Sequence, residues 1–371
     1  MLTKDRSIPR RVVRLAHTRK TPFLVIDKKV IQSKFAQFQE SMPKARLCYA
    51  VKANPHRRIV DILHNLGADF EISSEEELDL LLRCGVSSER IISSNPVKVI
   101  PFIEAAHSAG VKYFAFDSYS EIDKLSEIAP GSNVYVRLSV SNDHSQWPLS
   151  KKFGVEPEEV VRLLAHAAKM SLIPYGITFH VGSQCLDEIA WVHAIEKSRL
   201  VWDMARKGGI RLRMLNIGGG FPIEYTGSVP AIGRFAKAIN ETLKRVFPED
   251  IEIFIEPGRA LVGEAGILVG TVVAKARRNG ENWLYLDVGV FNGLMESVGG
   301  IEYTMIAEKN GPMRKWVVAG PSCDSMDVIS NETELPDLAV GEKVYISSAG
   351  AYTTSYASNF NGFPIPKTCI V

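Results

Sequence analysis

Cysteine is scarce in this chain and follows no metal-binding or disulfide pattern. The 371 residues contain five cysteines, at positions 48, 84, 185, 323 and 369, and no two of them form a CxxC pair. An odd number of scattered thiols excludes a disulfide framework and gives no zinc-ligand spacing. We therefore expect reduced thiols, no metal site and a cytoplasmic enzyme.

An excess of charge of one sign and long apolar runs are also lacking. The 44 basic and 42 acidic residues leave a formal net charge of +2, which provides no electrostatic footprint for nucleic acid. No stretch approaches the roughly 18 apolar residues of a membrane span. One basic cluster, KDRSIPRRVVRLAHTRK, lies near the N-terminus. Its acidic Asp5 and few serines argue against a transit peptide, so we expect a mobile basic arm.

What the chain does contain is a regular alternation of strand-like and helix-like segments. The amphipathic stretch SSEEELDLLLRCG, for example, begins with serine and acidic residues and stops at Gly85, as helices do. Such alternation indicates parallel βαβ units, and eight of them in about 210 residues favour a (β/α)8 barrel over an open sheet. The candidate strands are RLCYAVK (46–52), DFEIS (69–73), RIISS (90–94), VKYFAFD (111–117), VYVRLSV (134–140), YGITFHV (175–181), LRMLNI (212–217) and IEIFIE (251–256).

After about residue 260 the pattern changes to β-rich runs separated by Gly, Asn and Pro turns. These runs are ILVGTVVAKARR, NWLYLDVGV, KWVVAG and KVYISSAG. They predict a C-terminal β-sandwich or β-barrel domain at 263–371, after a barrel at 29–262. Residues 1–28 are expected to be an arm, with a strand, PFLVID, that joins the β domain.

Polar residues collect at the predicted strand ends, where barrel enzymes place their chemistry. Taken singly they have ordinary explanations: a solvated lysine, a core histidine, a tight glycine turn and an ion pair. Together at one barrel mouth they fit a phosphorylated aldehyde cofactor, with an amine for a Schiff base, a glycine nest and arginine for phosphate, and a carboxylate for a pyridine nitrogen. They are Lys52, His180, Ser183, Gly218, Gly219, Gly220, Glu256 and Arg259.

At this point the sequence resembles the pyridoxal-phosphate-dependent ornithine, lysine and diaminopimelate decarboxylases, which have an alanine-racemase-like barrel (fold type III). The resemblance runs from about Thr21 to the C-terminus and is closest to ornithine decarboxylases. The motifs that carry it are TPFLVID, YAVKANP, FHVGSQ, NIGGGFP, EPGRALV, GPSCDSMD and GAYTTSYASNFNGF.

The resemblance implies a role for each matching residue. Lys52 forms the resting aldimine with the cofactor, His180 stacks on its ring, and Glu256 faces the ring nitrogen. Ser183, the three glycines, Arg259 and Tyr352 bind phosphate. Glu71 and Arg137 match further cofactor-site positions, and Tyr352 and Phe360 match substrate-site positions.

The resemblance also implies a head-to-tail homodimer with two shared active sites. Cys323 and Asp324 would then reach into the partner's site, where the thiol protonates the substrate carbon and the carboxylate binds the distal ammonium. A thiol suits that role because its reference pKa of about 8.5 makes it an acid usable near neutrality. Lys152 and Asp327 match a pair that helps to hold the dimer.

The expected reaction is decarboxylation of a basic L-amino acid, with L-ornithine to putrescine first, in polyamine biosynthesis. One departure keeps lysine, diaminopimelate and a specialised diamino acid open: Gly299 and Gly300 stand where ornithine decarboxylases carry a second acid for the distal amine. Two other classes are a racemase of the same fold, which typically has arginine at the ring nitrogen, and a non-enzymatic regulatory relative.

Overall fold

The computed structural model describes residues 8–149, 151–247 and 250–371. These residues form two compact units. The first, here the β unit, comprises the described residues up to Ile31 together with Ile223–Ser228 and Val262–Val371. The second, the barrel unit, comprises Gln32–Pro222 and Val229–Leu261.

The strands and helices are numbered in chain order. The strands are β1 (Phe23–Ile26), β2 (Ala45–Ala50), β3 (Asp69–Glu71), β4 (Ile91–Ser93), β5 (Tyr113–Phe116), β6 (Asn133–Arg137), β7 (Ser145–Trp147), β8 (Ile173–Thr178), β9 (Ser183–Cys185), β10 (Met214–Asn216), β11 (Glu252–Ile255), β12 (Gly266–Arg278), β13 (Glu281–Leu286), β14 (Met305–Ala307), β15 (Met313–Ala319), β16 (Val328–Pro336), β17 (Lys343–Ile346) and β18 (Lys367–Ile370). The helices are α1 (Arg10–Thr18), α2 (Lys28–Ser41), α3 (Arg57–Asn65), α4 (Glu75–Arg83), α5 (Ile100–Ser108), α6 (Tyr119–Ile128), α7 (Pro157–Lys169), α8 (Ile189–Lys207), α9 (Ile232–Val246) and α10 (Arg259–Val262).

The barrel unit contains the predicted closed barrel. Its strands follow the order β10-β11-β2-β3-β4-β5-β6-β8 and pair in parallel, and each of the eight overlaps a strand predicted from the sequence. The interior is a packed core rather than a channel, and includes Cys48, Ile92, Tyr135 and Phe254. Because the strands are parallel, all eight deliver their C-terminal residues to one mouth.

The helix around the barrel that the sequence marks most clearly is α4. The hydroxyl of Ser74 accepts a hydrogen bond from the backbone N–H of Glu77 and caps its start, and three glutamates occupy its first turn. The chain turns away at Gly85, whose φ of +75° lies in the left-handed region that favours glycine.

The β unit is built on an eight-stranded sheet that contains the order β14-β17-β12-β13-β15-β16. Strand β1 lies between β12, to which it is antiparallel, and β18, to which it is parallel. The long strand β12 joins most of the sheet, because it pairs with β1, β13 and β17.

The N-terminal segment differs from the expected mobile arm. Residues Arg10–Thr18 form helix α1, and its apolar face packs Val12 and Ala16 against Phe23 and Tyr345. The prediction was wrong there because the basic residues occupy the outer face of an amphipathic helix whose narrow apolar stripe is easily overlooked. Residues 1–7 of the predicted arm lie outside the described residues.

The cysteines are free; Cys48 and Cys185 are buried, and Cys323 is exposed. Among the helices of the described residues, none combines the length and the apolar character needed to cross a bilayer.

Candidate active site

Lys52 lies in a 3-10 turn, Val51–Ala53, directly after the buried strand β2. Its Nζ donates a 2.6 Å hydrogen bond to Oε2 of Glu71, at the end of β3. The Glu71 side chain is 1% exposed, whereas that of Lys52 is 49% exposed. The amine is thus held at the barrel mouth by a buried carboxylate and remains accessible.

Glu256 follows β11 and is buried at the same mouth. Its Oε1 accepts hydrogen bonds from the hydroxyl of Ser94 and, at 2.5 Å, from Nδ2 of Asn216. The hydroxyl of Tyr135 lies 2.7 Å from that of Ser94 and extends the network. Burial, followed by the nearby charge of Glu71, raises the pKa of Glu256. A cation placed beside this carboxylate would therefore be strongly favoured.

His180 follows strand β8 and carries a neutral ring. Its Nδ1 accepts a 3.0 Å hydrogen bond from the backbone N–H of Gly182, so the ring proton belongs on Nε2. Burial, and then the positive charges of Arg137 and Lys52, lower the pKa of His180 to about 3. A neutral imidazole can stack on an electron-poor ring without charge repulsion.

The three glycines after β10 form a turn that other residues would block. Gly218 and Gly220 have φ of +66° and +96°. A methyl group on Gly218, Gly219 or Gly220 would lie 2.4, 2.5 or 2.3 Å, respectively, from a backbone carbonyl oxygen. Among the described residues, none accepts a hydrogen bond from the N–H of Gly219 or Gly220. The turn thus offers two successive backbone donors to an anion.

Arg259, at the start of α10, supplies a buried positive charge. It is 4% exposed, and its Nε and Nη2 donate to Oγ of Ser183 at 3.2 and 3.1 Å. A guanidinium offers several N–H donors in a fixed fork, a geometry that suits the oxygens of a phosphate. Arg259 and Ser183 therefore add side-chain donors to those of the glycine turn.

Arg137, at the end of β6, is the remaining predicted residue of the barrel mouth. Its guanidinium lies 5.3 Å from the ring centre of Phe153 and contributes to the positive field at His180. The structure thus places every predicted residue of the barrel unit after, or at the end of, a barrel strand.

The other predicted residues belong to the β unit. Cys323 and Asp324 lie in an exposed loop after β15, and Oδ1 of Asp324 accepts a 2.8 Å bond from Met326 N–H. The buried Asp327 holds this loop in place, because its carboxylate accepts backbone bonds from Val290, at 2.7 Å, and Ser322, at 3.0 Å. Its predicted pairing with Lys152 of a second chain stays a prediction.

Two aromatic residues complete the predicted set in the β unit. Tyr352 has a positive φ of 59° and stacks on Tyr356 with ring centres 5.5 Å apart. Phe360 is partly exposed, and its ring centre lies 4.7 Å from that of Phe291. Both residues are therefore fixed by a neighbouring ring.

Comparison with known proteins identifies the family. Residues 28–263 match the family described as pyridoxal-dependent decarboxylase, pyridoxal binding domain. This chain belongs to that family. It is a pyridoxal-phosphate-dependent amino-acid decarboxylase, and its cofactor is pyridoxal phosphate.

Individual relatives cover nearly the whole decarboxylase. It is 36% identical over 354 residues to the lysine/ornithine decarboxylase of Selenomonas ruminantium, covering 94% of this chain and 89% of that protein. It is 35% identical over 360 residues to antizyme inhibitor 2 of Xenopus laevis, covering 92% and 79%. The crystal structure of lysine/ornithine decarboxylase complexed with putrescine from Vibrio vulnificus matches with a TM-score of 0.91 and 32% identity, covering 98% and 97%.

The residues of the decarboxylase fit its cofactor. Lys52 offers an accessible amine for the aldehyde, and His180 offers a neutral ring for stacking. Glu256 offers a buried carboxylate for the ring nitrogen, and the glycine N–H groups with Arg259 offer donors for the phosphate. The carboxylate expected to face the ring nitrogen, Glu256, stands where a racemase of this fold typically has arginine. The regulatory alternative predicts loss of cofactor residues, and this chain retains them.

Two contributors to the site were missed from the sequence, Ser94 and Asn216. Ser94 is the last residue of the predicted strand RIISS (90–94), and Asn216 lies between the apolar Leu215 and Ile217 near the end of the predicted strand LRMLNI (212–217). That polarity inside a barrel strand was the available signal, because a buried amide needs a partner.

Proposed function

We propose that the decarboxylase acts on a basic L-amino acid, with L-ornithine to putrescine as the first choice and L-lysine as the second. The observation that carries the proposal is an exposed carboxylate, Asp324, directly beside an exposed thiol, Cys323. The carboxylate suits the distal ammonium of a diamino acid, and the thiol suits a proton donor. The names of the lysine/ornithine decarboxylase relatives support this substrate class. Putrescine formation would place the enzyme in polyamine biosynthesis, in the cytoplasm.

The residues of the barrel unit would bind and orient the cofactor. Lys52 would bond covalently to its aldehyde carbon, with Glu71 and Arg137 setting the field around that amine. His180 would cover one face of the ring, and Glu256 would hold a proton at the ring nitrogen. The phosphate ligands from this unit would be Ser183, Gly218, Gly219, Gly220 and Arg259, and Tyr352 is proposed as a further ligand.

Proton delivery would be the task of Cys323. When bound, the cofactor would supply an electron sink for the pair released as the bond from Cα to the carboxylate breaks. The Cys323 Sγ–H then gives its proton to Cα, and solvent returns a proton to the sulfur. Phe360 would cover the substrate beside this thiol.

Substrate choice depends on the 3-10 turn Met295–Gly299. Its glutamate, Glu296, is 3% exposed and so turned inward, whereas Val298 and Gly299 are exposed. Gly300 ends the turn at φ +90°. The exposed part of this turn therefore carries no acid, which leaves Asp324 as the proposed partner of the distal ammonium.

An acid introduced at Gly299 is expected to strengthen diamine binding. Gly299 is not among the glycines with positive φ, so it accepts a side chain without the strain expected at Gly300. We expect Gly299→Asp to lower the KM for L-ornithine about fivefold, since a partly desolvated ion pair is worth about 1 kcal/mol. Gly299→Asn is the neutral control of matched shape. Equal KM values in the two variants would show that this turn does not face the substrate.

A screen of released CO2 across L- and D-forms of ornithine, lysine, arginine, diaminopimelate and apolar amino acids tests the substrate. The highest kcat/KM is expected for L-ornithine, with L-lysine next. Preference for an apolar amino acid would refute the role of Asp324, and preference for diaminopimelate would replace ornithine with a substrate that has a zwitterionic end.

We further propose a head-to-tail homodimer in which Cys323 of one chain serves Lys52 of the other. The exposed apolar side chains of Met326 and Phe360 flank Cys323, as expected of a surface that is covered in an assembly. Cys323 itself is exposed and lies in the β unit, whereas Lys52 lies in the barrel unit.

Mixing two defective variants tests this arrangement. Lys52→Ala and Cys323→Ala are each expected to make little amine product alone. After exchange of subunits at equal amounts, half of the dimers are mixed and each mixed dimer has one intact site, so about a quarter of wild-type activity should return. If both residues act within one chain, mixing the two variants restores no activity. Unmixed variants carried through the same exchange are the control.

A further inference from the structure

The thiol of Cys323 has a hydrogen-bond acceptor that the roles assigned above do not use. Both the Sγ and the backbone N–H of Cys323 donate to Oδ1 of Asn361, at 3.4 and 3.3 Å. One amide oxygen thus fixes the main chain of the cysteine and also the direction of its S–H bond. The contact joins two segments 38 residues apart in the sequence.

The segment that carries Asn361 is itself firmly held. Phe360 packs on Phe291, and the backbone N–H of Ser358 donates a 2.8 Å bond to the carbonyl of Phe291. Further along, Nδ2 of Asn292 donates to the carbonyl of Pro364 at 3.2 Å. The amide of Asn361 is therefore presented from a fixed support.

The backbone at Asn361 is in the left-handed region, with φ 54° and ψ 14°. Asparagine and glycine adopt this conformation most readily among the amino acids. The residue at this position can therefore be exchanged for glycine without strain, which removes the amide and leaves the backbone unchanged.

The loop that carries Cys323 is fixed on its other side. Asp327 accepts the N–H of Ser322, and the backbone N–H of Gly320 donates to the carbonyl of Asp327 at 2.8 Å. With the main chain held at both ends, the main freedom left to the thiol is rotation about its side-chain bonds. An acceptor within hydrogen-bond reach selects among those rotamers.

We propose that Asn361 is a positioning residue for proton delivery: its Oδ1 holds the Cys323 thiol in the rotamer from which the S–H proton reaches Cα. This inference rests on the proposed role of Cys323 as the proton donor. Asn361 itself transfers no proton and bonds to no substrate atom.

If Asn361 orients the thiol, it affects which carbon atom is protonated as well as the rate of protonation. The electron pair left by the departing carboxylate forms a C–H bond at Cα when the thiol is aimed correctly, which yields the amine. With the thiol misdirected, the same electron pair would be protonated away from Cα, and hydrolysis by water would give an amino aldehyde, with the substrate's α-nitrogen retained by the cofactor. Both outcomes release CO2 and conserve electrons.

The test compares Asn361→Gly with wild type and with Asn279→Gly in the holoenzyme. Asn279 is the matched control because it also has a positive φ, 50°, in the two-residue turn between β12 and β13. Mass spectrometry measures the amine and aldehyde products. We expect Asn361→Gly to raise the aldehyde fraction about tenfold, since aimed proton transfer contributes at least this much, while Asn279→Gly leaves it unchanged.

A second readout reports on the thiol without turnover. The infrared S–H stretching band of Cys323 is identified by its loss in Cys323→Ser. In wild type this band is expected at the lower wavenumber of a hydrogen-bonded thiol, and it should move to higher wavenumber in Asn361→Gly. The wild-type band tests the contact even if the glycine variant folds poorly.

The outcomes separate this inference from the proposed function. An unchanged product ratio in Asn361→Gly, or a wild-type band typical of a free thiol, would overturn the role of Asn361 alone. If Cys323→Ala also produced only the amine, the proposed role of Cys323 would fail first.

Discussion

Replacement of Lys52 by alanine is expected to lower turnover by at least about 10³-fold and to remove the visible absorbance of the lysine-bound cofactor. The reason is geometric: Lys52 presents an accessible amine at the barrel mouth, and Glu71 holds that amine in place at 2.6 Å. Alanine has no group that could bond to the cofactor aldehyde. Absorbance spectra and released CO2 measure the two effects.

Lys98 provides the control for this prediction. It follows β4, and burial lowers its pKa to about 8, which by titration alone would make it a candidate for Schiff-base chemistry. Its side chain is 0% exposed, however, and its Nζ contacts Glu121 at 2.9 Å and the carbonyl of Ala115 at 2.5 Å. We expect Lys98→Met to cost stability, about 1–3 kcal/mol, and to keep the bound cofactor. Loss of cofactor absorbance in Lys98→Met but not in Lys52→Ala would reverse the assignment.

Replacement of Glu256 by glutamine is expected to lower kcat by about 10²–10³-fold, with cofactor still bound. The carboxylate would keep a proton on the ring nitrogen, which makes the ring an electron sink. A neutral amide of the same shape cannot supply the charge. Burial raises the pKa of Glu256, so a cationic ring nitrogen beside it would stabilise the ionised carboxylate.

The matched control for Glu256 is Ser94→Ala, which removes one hydrogen bond to the same carboxylate while keeping its charge. We expect kcat of this variant to fall by about tenfold or less, because Asn216 still donates a hydrogen bond to Oε1 of Glu256. Near wild-type turnover in Glu256→Gln would show that ring protonation is not required for this reaction. A loss in Ser94→Ala as large as that in Glu256→Gln would point to carboxylate placement rather than charge.

The barrel and its mouth were accessible from the sequence because parallel strands share an edge. Once eight strands were recognised, the residues after each of them had to meet, which brought Lys52, His180 and Glu256 together without knowledge of any contact. The positive φ of Gly218 and Gly220 is a local backbone property, whereas the carbonyl oxygens that exclude a side chain there belong to Phe179 and other residues distant in the sequence.

What the sequence did not reveal depends on partners far apart along the chain. The bond from Ser94 to Glu256 spans 162 residues, and the contact of Cys323 with Asn361 spans 38. Neither follows from periodicity. The strands β14 and β18 were missed because their sequences show no alternating apolar pattern; pairing with β17 and β1, respectively, stabilises them.

Reduction of the holoenzyme with borohydride, followed by peptide mass spectrometry, tests the central claim most directly. Borohydride converts the carbon–nitrogen double bond between cofactor and protein into a stable single bond, which marks the lysine that carried it. The mass of the reduced cofactor is expected on the peptide that contains Lys52. Its appearance on the peptide of Lys98, or on no lysine at all, would contradict the account.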